Sequence, residues 1–184
     1  MSQPGQLSGK RALVTGSTSG IGLGIARAMA GEGADLVISG FGDADEITAL
    51  CTELGAKHVD ADLLTEEGCE KLMADAGPVD ILVNNAGIVR VADPTEHFSN
   101  FFDTDPANWQ KQFDLNVFGV MNGAKAVLPG MRERQWGRFV TVSSDSGRKG
   151  GEGLSIYGAA TSATAPMPPR AKPHAPTVPS TSPI

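Results

Sequence analysis

A glycine-rich turn near the N-terminus limits the possible folds more than any other feature of this chain. Residues Thr15 to Gly22 read Thr-Gly-Ser-Thr-Ser-Gly-Ile-Gly, follow the apolar pair Leu13-Val14 and precede an apolar, helix-like segment. Glycines at such a place let the backbone turn sharply and approach a ligand closely. A helix that begins there presents free N–H groups and the positive end of its dipole to an anion. The pattern therefore predicts a strand, a tight turn and a helix that together bind a phosphate group.

Short apolar runs alternate with segments of helical period from Lys10 onward, which is typical of a parallel sheet with helices on its faces. The predicted strands are Ala12 to Thr15, Asp35 to Ser39, Lys57 to Asp60, Ile81 to Asn84 and Arg138 to Ser143. The predicted helices are Ile21 to Glu32, Ala44 to Leu54, Thr65 to Ala76 and Ala107 to Arg134. We therefore predict an α/β fold: a Rossmann-like doubly wound parallel sheet with helices on both faces. A sheet of this kind normally continues beyond a fifth strand, and the sequence offers only five. We therefore expect the sheet to lack its last strands.

Two segments fall outside this rhythm. The segment Ile88 to Asp105 is long for a connection and indicates a loop over a site or an extra contact surface. From Ala165 to Ile184 large apolar residues are nearly absent and prolines are frequent: Pro166, Pro168, Pro169, Pro173, Pro176, Pro179 and Pro183. We predict an incomplete Rossmann-type domain over residues 1–160 and a Pro-rich, disordered tail over residues 161–184.

Composition argues against several kinds of partner. The formal net charge is -6 and no Lys/Arg-rich run occurs, so we expect no nucleic-acid partner. The N-terminus does not read as a leader and no stretch approaches the ~20 apolar residues that span a bilayer, so we expect a cytoplasmic protein without a membrane partner. Cys51 and Cys69, with three separated histidines, form no zinc-binding pattern, and we expect no metal site.

The glycine spacing Gly-x-x-x-Gly-x-Gly begins a longer series of motifs. It is followed in order by Asp62, the run Asn84 to Gly87, Asn116, Ser144 and Tyr157. Over about Leu7 to Ala160, these residues resemble the pattern of the short-chain dehydrogenase/reductase family. The resemblance implies an oxidoreductase whose catalytic domain binds NAD or NADP and transfers a hydride between this cofactor and a secondary alcohol or ketone.

The resemblance also implies which residues hold the dinucleotide. Asp62 would accept a hydrogen bond from the adenine amino group, and Leu63 would add a main-chain contact. Asn85 and Gly87 would pack beside the ribose, while the side-chain amide of Asn84 would tie adjacent strands together. The other cofactor-binding residues lie in the glycine turn: Gly16, Ser17, Ser19, Gly20, Ile21 and Gly22.

Three further positions match the catalytic residues of the family. Tyr157 follows Ser144 by thirteen positions, as in the family's catalytic pair. The resemblance makes Tyr157 the general acid or base on the substrate oxygen and Ser144 its hydrogen-bonding partner. The main-chain carbonyl at the position of Asn116 binds a water of a proton relay in the family. Without the resemblance, Asn116 would be a polar residue on a partly exposed helix face.

The chain departs from the family where a lysine is expected. The family pattern is Tyr-x-x-x-Lys, which places an ammonium one helical turn from the phenol, but here Thr161 stands four residues after Tyr157. Lys149 and Lys172 lie at other spacings. Two functions stay open: an active oxidoreductase, and a truncated, catalytically impaired remnant that binds the dinucleotide. Because the proline-rich tail begins nearby, we also consider a reading-frame shift close to codon 161.

The substrate also stays open. Residues 14–26 and the run Gly40 to Asp43 are similar to bacterial 3-hydroxybutyrate dehydrogenases. The central region lacks the Gln and His of that group and resembles dehydrogenases or reductases of acyl thioesters and cyclic alcohols. We expect a 3-hydroxyacid or 3-oxoacyl compound, and NAD rather than NADP, because Gly40 and Phe41 carry no charge and acidic residues follow. A homo-oligomer is expected if the C-terminal elements are present, as in the family.

Overall fold

Five parallel strands form a single sheet at the centre of the molecule. The computed structural model describes residues 5–88, 101–165 and 167. The strands are β1 (Arg11–Thr15), β2 (Asp35–Ser39), β3 (Lys57–His58), β4 (Ile81–Asn84) and β5 (Arg138–Thr141). Their order is β3-β2-β1-β4-β5, and each neighbouring pair is parallel. The strand order therefore reverses between β1 and β4, the place where sheets of this kind bind their ligands.

Helices cover both faces of this sheet, so the predicted doubly wound fold is confirmed. The helices are α1 (Gly20–Gly31), α2 (Ala44–Leu54), α3 (Glu66–Ala76), α4 (Pro106–Phe113), α5 (Val120–Glu133), α6 (Ser146–Lys149) and α7 (Ser155–Thr164). On one face Leu13 and Leu82 pack with Val127 of α5. On the other face Val14 and Val83 pack with Ala26 of α1. Strands buried on both faces explain why the sequence shows them as apolar runs.

The predicted helix from Ala107 to Arg134 is helical throughout residues 106–133, but it is not a uniform α-helix. The structure has α4, then a π-helical turn over Asp114–Gly119, and then α5. A π turn inserts a wider step into the helix without interrupting its apolar surface, so the spacing of apolar residues does not show it. This turn carries Asn116, which is 6% exposed rather than lying on a partly exposed face.

The remaining differences lie at the ends of elements. β3 and β5 are shorter than predicted and end at His58 and Thr141. α7 continues to Thr164, beyond the domain boundary predicted at residue 160. Most of the predicted insert, residues 89–100, and the predicted tail after residue 167 lie outside the described residues. Within the described ranges, no helix is long and apolar enough to cross a membrane.

Candidate active site

The glycine turn forms a narrow bend between β1 and α1. Gly16 has a φ of 62° and Gly20 a φ of 56°, values that L side chains rarely adopt. A Cβ atom on Gly16 would lie 2.8 Å from the Ala86 Cα, and one on Gly22 would collide with the Gly16 carbonyl. Position 16 therefore requires glycine because of its positive φ and because Ala86 leaves no room for a Cβ. Position 22 requires glycine because the Gly16 carbonyl occupies the place of a Cβ.

The start of α1 is open to solvent. Ser19 is the N-cap residue, and its exposed side chain makes no capping hydrogen bond. No atom lies within 4 Å of the position of a Cβ on Gly20, and Ile21 is 70% exposed. The first N–H groups of a helix have no partner within the helix, so they are available to an external anion. The backbone at this turn therefore fits a pyrophosphate group.

Ser17 is the turn residue whose side chain faces inward. It is 0% exposed, and its hydroxyl donates to the Val14 carbonyl at 2.6 Å and accepts from the Ser39 N–H at 3.1 Å. These bonds join the end of β1 to the end of β2. The hydroxyl of Ser17 thus holds the shape of the turn from inside the sheet.

Asn85 ties the ends of β1 and β4 together. Its side-chain Nδ2 donates to the carbonyls of Thr15 at 2.9 Å and Gly16 at 3.0 Å. The Thr15 hydroxyl in turn accepts from the N–H groups of Asn85 and Ala86, both at 3.0 Å. The prediction that the Asn84 amide performs this role is wrong, because side chains alternate between faces along a strand and Asn84 points into the core. Thr15 was not predicted as a site residue, since a threonine at a strand end carries no distinctive signal.

Asn116 and Gly87 meet beneath the connection that follows β4. The Asn116 side-chain Oδ1 accepts from the Ile88 N–H at 3.1 Å, and its Nδ2 donates to the Ile88 carbonyl at 2.9 Å. A Cβ on Gly87 would lie 3.0 Å from the Asn116 Oδ1. The π turn thus fixes the backbone beside two predicted cofactor-binding residues, Asn85 and Gly87.

Asp62 and Leu63 follow β3 and take different positions. The exposed Asp62 carboxylate accepts from the Leu64 N–H at 3.0 Å, which leaves one carboxylate oxygen facing solvent. Leu63 is partly buried and packs against the core beneath α5. The side chain of Leu63 therefore stabilises the fold, and only the main chain of Leu63 could contact a ligand.

The segment after β2 begins with the uncharged residues Gly40, Phe41 and Gly42, of which Phe41 carries an aromatic ring. Phe41 is 72% exposed. Thr18 of the glycine turn donates to the Phe41 carbonyl at 2.7 Å, and His58 Nε2 lies 2.9 Å from the Gly40 carbonyl oxygen. Asp43 uses its carboxylate to cap α2, where it accepts from the Asp45 N–H at 2.9 Å. Thr18 and His58, which hold this segment in place, were missed because their role depends on contacts between distant residues.

Ser144 lies between β5 and α6. Its hydroxyl donates to the Ser146 hydroxyl at 3.1 Å and accepts from the Ser146 N–H at 3.2 Å. Both contacts are with the first residue of α6. The short helix therefore holds the Ser144 hydroxyl at the carboxyl edge of the sheet.

Tyr157 lies in the first turn of α7, which packs against α6, α4 and the π turn. A Cβ on the next residue, Gly158, would lie 2.8 Å from the Ser146 carbonyl oxygen, so a glycine is needed where the two helices touch. Ser162 adds a hydrogen bond from its hydroxyl to the Gly147 carbonyl at 2.6 Å. The three predicted catalytic residues thus belong to elements that pack around α7: Ser144 before α6, Tyr157 in α7 and Asn116 in the π turn.

Thr161 occupies the position of the expected lysine and is 6% exposed. Its hydroxyl donates to the Tyr157 carbonyl at 2.9 Å, and its carbonyl accepts from the Ser143 hydroxyl at 3.1 Å. Lys149 forms an ion pair with Asp145 at 2.7 Å on α6. Thr161 therefore supplies neither a charge nor a free hydroxyl to Tyr157.

Glycine-lined backbone and an open helix start meet at the reversal point of a parallel sheet, an arrangement typical of Rossmann-like folds that bind dinucleotides. In the described part of the chain, no group of three or more His, Cys, Asp or Glu side chains could hold a metal ion. A family profile described as short chain dehydrogenase matches residues 10–168. The chain belongs to the short-chain dehydrogenase family, whose members bind NAD or NADP.

Known proteins support this assignment. The chain is 40% identical over 162 residues to the D-beta-hydroxybutyrate dehydrogenase of Cupriavidus necator, and the match covers 84% of this chain and 60% of that protein. A solved short chain dehydrogenase/reductase family protein is 43% identical with a TM-score of 0.78, covering 86% of this chain and 65% of the other. The 3-oxoacyl (acyl-carrier-protein) reductase of Agrobacterium tumefaciens, solved with NADP bound, is 28% identical with a TM-score of 0.76. This second structural match covers 85% of this chain and 61% of the other. The chain therefore spans less than two thirds of these relatives.

Proposed function

We propose that this chain carries the dinucleotide-binding and catalytic part of an oxidoreductase that transfers a hydride between NAD(P) and a secondary alcohol or ketone. The main support is the open start of α1 after the turn at Gly16, because the first N–H groups of a helix have no partner within it. When bound, the nicotinamide ring accepts or donates the hydride.

The described residues divide the binding task. The N–H groups of Gly20, Ile21 and Gly22 hold the pyrophosphate, and Ser19 adds an exposed hydroxyl. The outward oxygen of the Asp62 carboxylate accepts from the adenine amino group.

Asn85 and Gly87 line the ribose site. The side chain of Asn85 is bound to the glycine turn, so its contribution is to hold the backbone there. Leu63 contributes a main-chain contact and Ser17 keeps the turn rigid.

The catalytic residues act on the substrate oxygen. Tyr157 transfers the proton. The Ser144 hydroxyl keeps the hydrogen bond that it accepts from the Ser146 N–H and turns its own proton from the Ser146 hydroxyl to the substrate oxygen as charge develops there. The side chain of Asn116 holds the π turn against Ile88. In the proposed mechanism its main-chain carbonyl accepts a hydrogen bond from a water of the proton path.

A 3-hydroxyacid or a 3-oxoacyl compound is the proposed substrate class. Two similar proteins are named as a D-beta-hydroxybutyrate dehydrogenase and a 3-oxoacyl (acyl-carrier-protein) reductase. Both names describe a compound whose oxygen lies on the third carbon, counting the acyl carbon as the first. We propose NAD as the cofactor, because Gly40, Phe41 and Gly42 after β2 carry no positive charge and the acidic Asp43 follows them.

A second function is favoured by Thr161. With its hydroxyl bonded to the Tyr157 carbonyl and no cation one turn from the phenol, the chain binds the dinucleotide but turns substrate over poorly. Lys149 does not replace the missing cation, because it pairs with Asp145 on α6.

Titration of the purified chain with NADH and NADPH, monitored by nicotinamide fluorescence, tests dinucleotide binding, which both proposed functions require. Turnover of 3-hydroxybutyrate, a 3-oxoacyl thioester and a cyclic alcohol then separates them. Binding with turnover supports the oxidoreductase, and binding without turnover supports the impaired remnant. If neither dinucleotide binds, both proposals fail.

A further inference from the structure

The first two residues after β2 are held from both sides by side chains of the neighbouring elements. β2 lies between β1 and β3 in the sheet. From the β1 side, the Thr18 hydroxyl donates to the Phe41 carbonyl at 2.7 Å. From the β3 side, the His58 Nε2 lies 2.9 Å from the Gly40 carbonyl oxygen, and because a carbonyl only accepts, the ring is the donor. We call these two side chains the Thr18–His58 clamp.

The clamp depends on a glycine at position 40. A Cβ on Gly40 would lie 2.6 Å from the Thr18 Oγ1 and 3.1 Å from the Thr18 Cγ2. A larger residue at this position would therefore push the Thr18 side chain away from the Phe41 carbonyl. Gly40, Thr18 and the Phe41 carbonyl form one closely fitted unit.

This unit fixes the main chain beside a large apolar side chain that is exposed to solvent. Phe41 is 72% exposed, so burial of its ring contributes little to the position of the segment. The hydrogen bonds of the clamp supply that order instead. The ordered segment lies at the carboxyl end of β2, the edge of the sheet at which folds of this kind bind their ligands.

The end of the second strand is also where Rossmann-like proteins distinguish the two nicotinamide dinucleotides. The ribose 2′ position carries a hydroxyl in NAD, which an acidic residue binds, and a phosphate in NADP, which an arginine accommodates. Here Gly40, Phe41 and Gly42 are uncharged, and the Asp43 carboxylate caps α2. Discrimination at these positions therefore depends on the shape of the segment rather than on a charged side chain.

We propose that Thr18 and His58 are positioning residues for the choice of cofactor. By fixing Phe41 and Gly40, they keep the end of β2 in a shape that admits the 2′-hydroxyl of NAD and does not move aside for a 2′-phosphate. A segment that is already ordered costs little to order when NAD binds, whereas a segment that shifts gives up hydrogen bonds of the clamp. This inference rests on the proposed function, because it concerns the same dinucleotide site.

The dissociation constants of NADH and NADPH for the purified chain, measured by nicotinamide fluorescence, test the inference. The parent should bind NADH more tightly. Thr18→Val removes the hydroxyl and keeps the branched shape. It should lower the ratio of the NADPH constant to the NADH constant by about threefold or more, the factor that one hydrogen bond supplies. His58→Met removes the other donor and should lower the ratio similarly, whereas Thr18→Ser keeps the hydroxyl and should keep the ratio of the parent.

Thr48→Val is the matched control for the loss of a threonine hydroxyl. The Thr48 hydroxyl donates to the Ala44 carbonyl at 2.8 Å within α2, so its removal leaves the clamp intact. The ratio of the two constants in this variant should equal that of the parent.

A purely structural role for the clamp predicts a different result. Lower stability weakens the binding of both dinucleotides by the same factor, so an unchanged ratio in Thr18→Val and His58→Met overturns the inference and leaves the proposed function standing. A parent that binds NADPH as tightly as NADH also overturns it. If the parent binds neither dinucleotide, the proposed function fails and this inference fails with it. If His58→Met does not fold, the half-buried Thr18 decides the question through its valine and serine variants.

Discussion

Asn116 and Ile88 form a reciprocal pair of hydrogen bonds between one side-chain amide and one residue of main chain. The Asn116 Oδ1 accepts from the Ile88 N–H at 3.1 Å, and the Asn116 Nδ2 donates to the Ile88 carbonyl at 2.9 Å. An amide is the side-chain group that provides one donor and one acceptor side by side, as this geometry requires. The pair connects the π turn to the chain that leaves β4.

Asn116→Asp is expected to lower the free energy of unfolding by about 2 kcal/mol, because the carboxylate cannot donate to the Ile88 carbonyl and is placed against it in a buried site. Urea denaturation followed by circular dichroism measures the change. Asn108→Asp on α4 is the matched control, because the Asn108 side chain has no hydrogen bond to another described residue. This control should stay within about 0.5 kcal/mol of the parent. Equal losses in both variants would contradict the role given to the amide pair.

Gly16→Ala is expected to abolish dinucleotide binding and to destabilise the chain by about 1–3 kcal/mol, because it places a Cβ at positive φ against Ala86. Gly24→Ala in α1 is the control, since no atom lies within 4 Å of its added Cβ. That control should bind normally and gain about 0.5–1 kcal/mol of stability. Fluorescence titration and thermal unfolding report the two effects, and normal binding by Gly16→Ala would exclude the turn as the pyrophosphate site.

Thr161→Lys is expected to raise turnover about tenfold or more, because a cation one helical turn from Tyr157 favours the ionised phenol and about 1.4 kcal/mol corresponds to a factor of ten. Thr161→Met is the control, with similar length and no charge. Both variants lose the hydroxyl bond to the Tyr157 carbonyl, so a shared loss of stability is expected. A gain in the lysine variant alone assigns the defect to charge. No gain would place the larger defect in elements beyond Thr161.

Cys69 is expected to react slowly with thiol reagents. It is 2% exposed, and burial raises the pKa of its thiol. The reactive thiolate is therefore scarce at neutral pH and forms only at a pH above the usual pKa of a thiol. Cys51 is less buried and should be modified first. Mass spectrometry after alkylation at pH 7 to 10 measures both sites, with Cys51→Ser as the control. Rapid modification of Cys69 at pH 7 in the folded chain would contradict the prediction that its thiol is buried and un-ionised.

Local pattern was enough to predict the sheet and the position of the glycine turn. Strands that are buried on both faces are apolar, and the positive φ angles at Gly16 and Gly20 favour glycine. The types of residue alone therefore indicate both features. The family resemblance assigned Asn116, Ser144 and Tyr157 to one catalytic site, and the packing of α7 against α6 and the π turn brings their elements together.

Contacts between distant residues could not be predicted in the same way. The choice between Asn84 and Asn85 as the strand tie depends on which face each side chain takes, and a shift of one residue reverses it. The π turn left the apolar spacing of the predicted helix unchanged. The inward position of the Ser17 hydroxyl depends on the end of β2, more than twenty residues away in the chain.

The glycine turn is held from two sides, by the Ser17 hydroxyl toward β2 and by the Asn85 amide toward β4. A bend held in this way has already lost its conformational freedom before any ligand arrives. Binding of a pyrophosphate there requires little ordering of the backbone, so more of the contact energy remains as affinity. For engineering, Ser17→Ala would loosen the bend and convert it into a site that must be ordered by its ligand, with weaker binding although the buried Ser17 side chain touches no ligand.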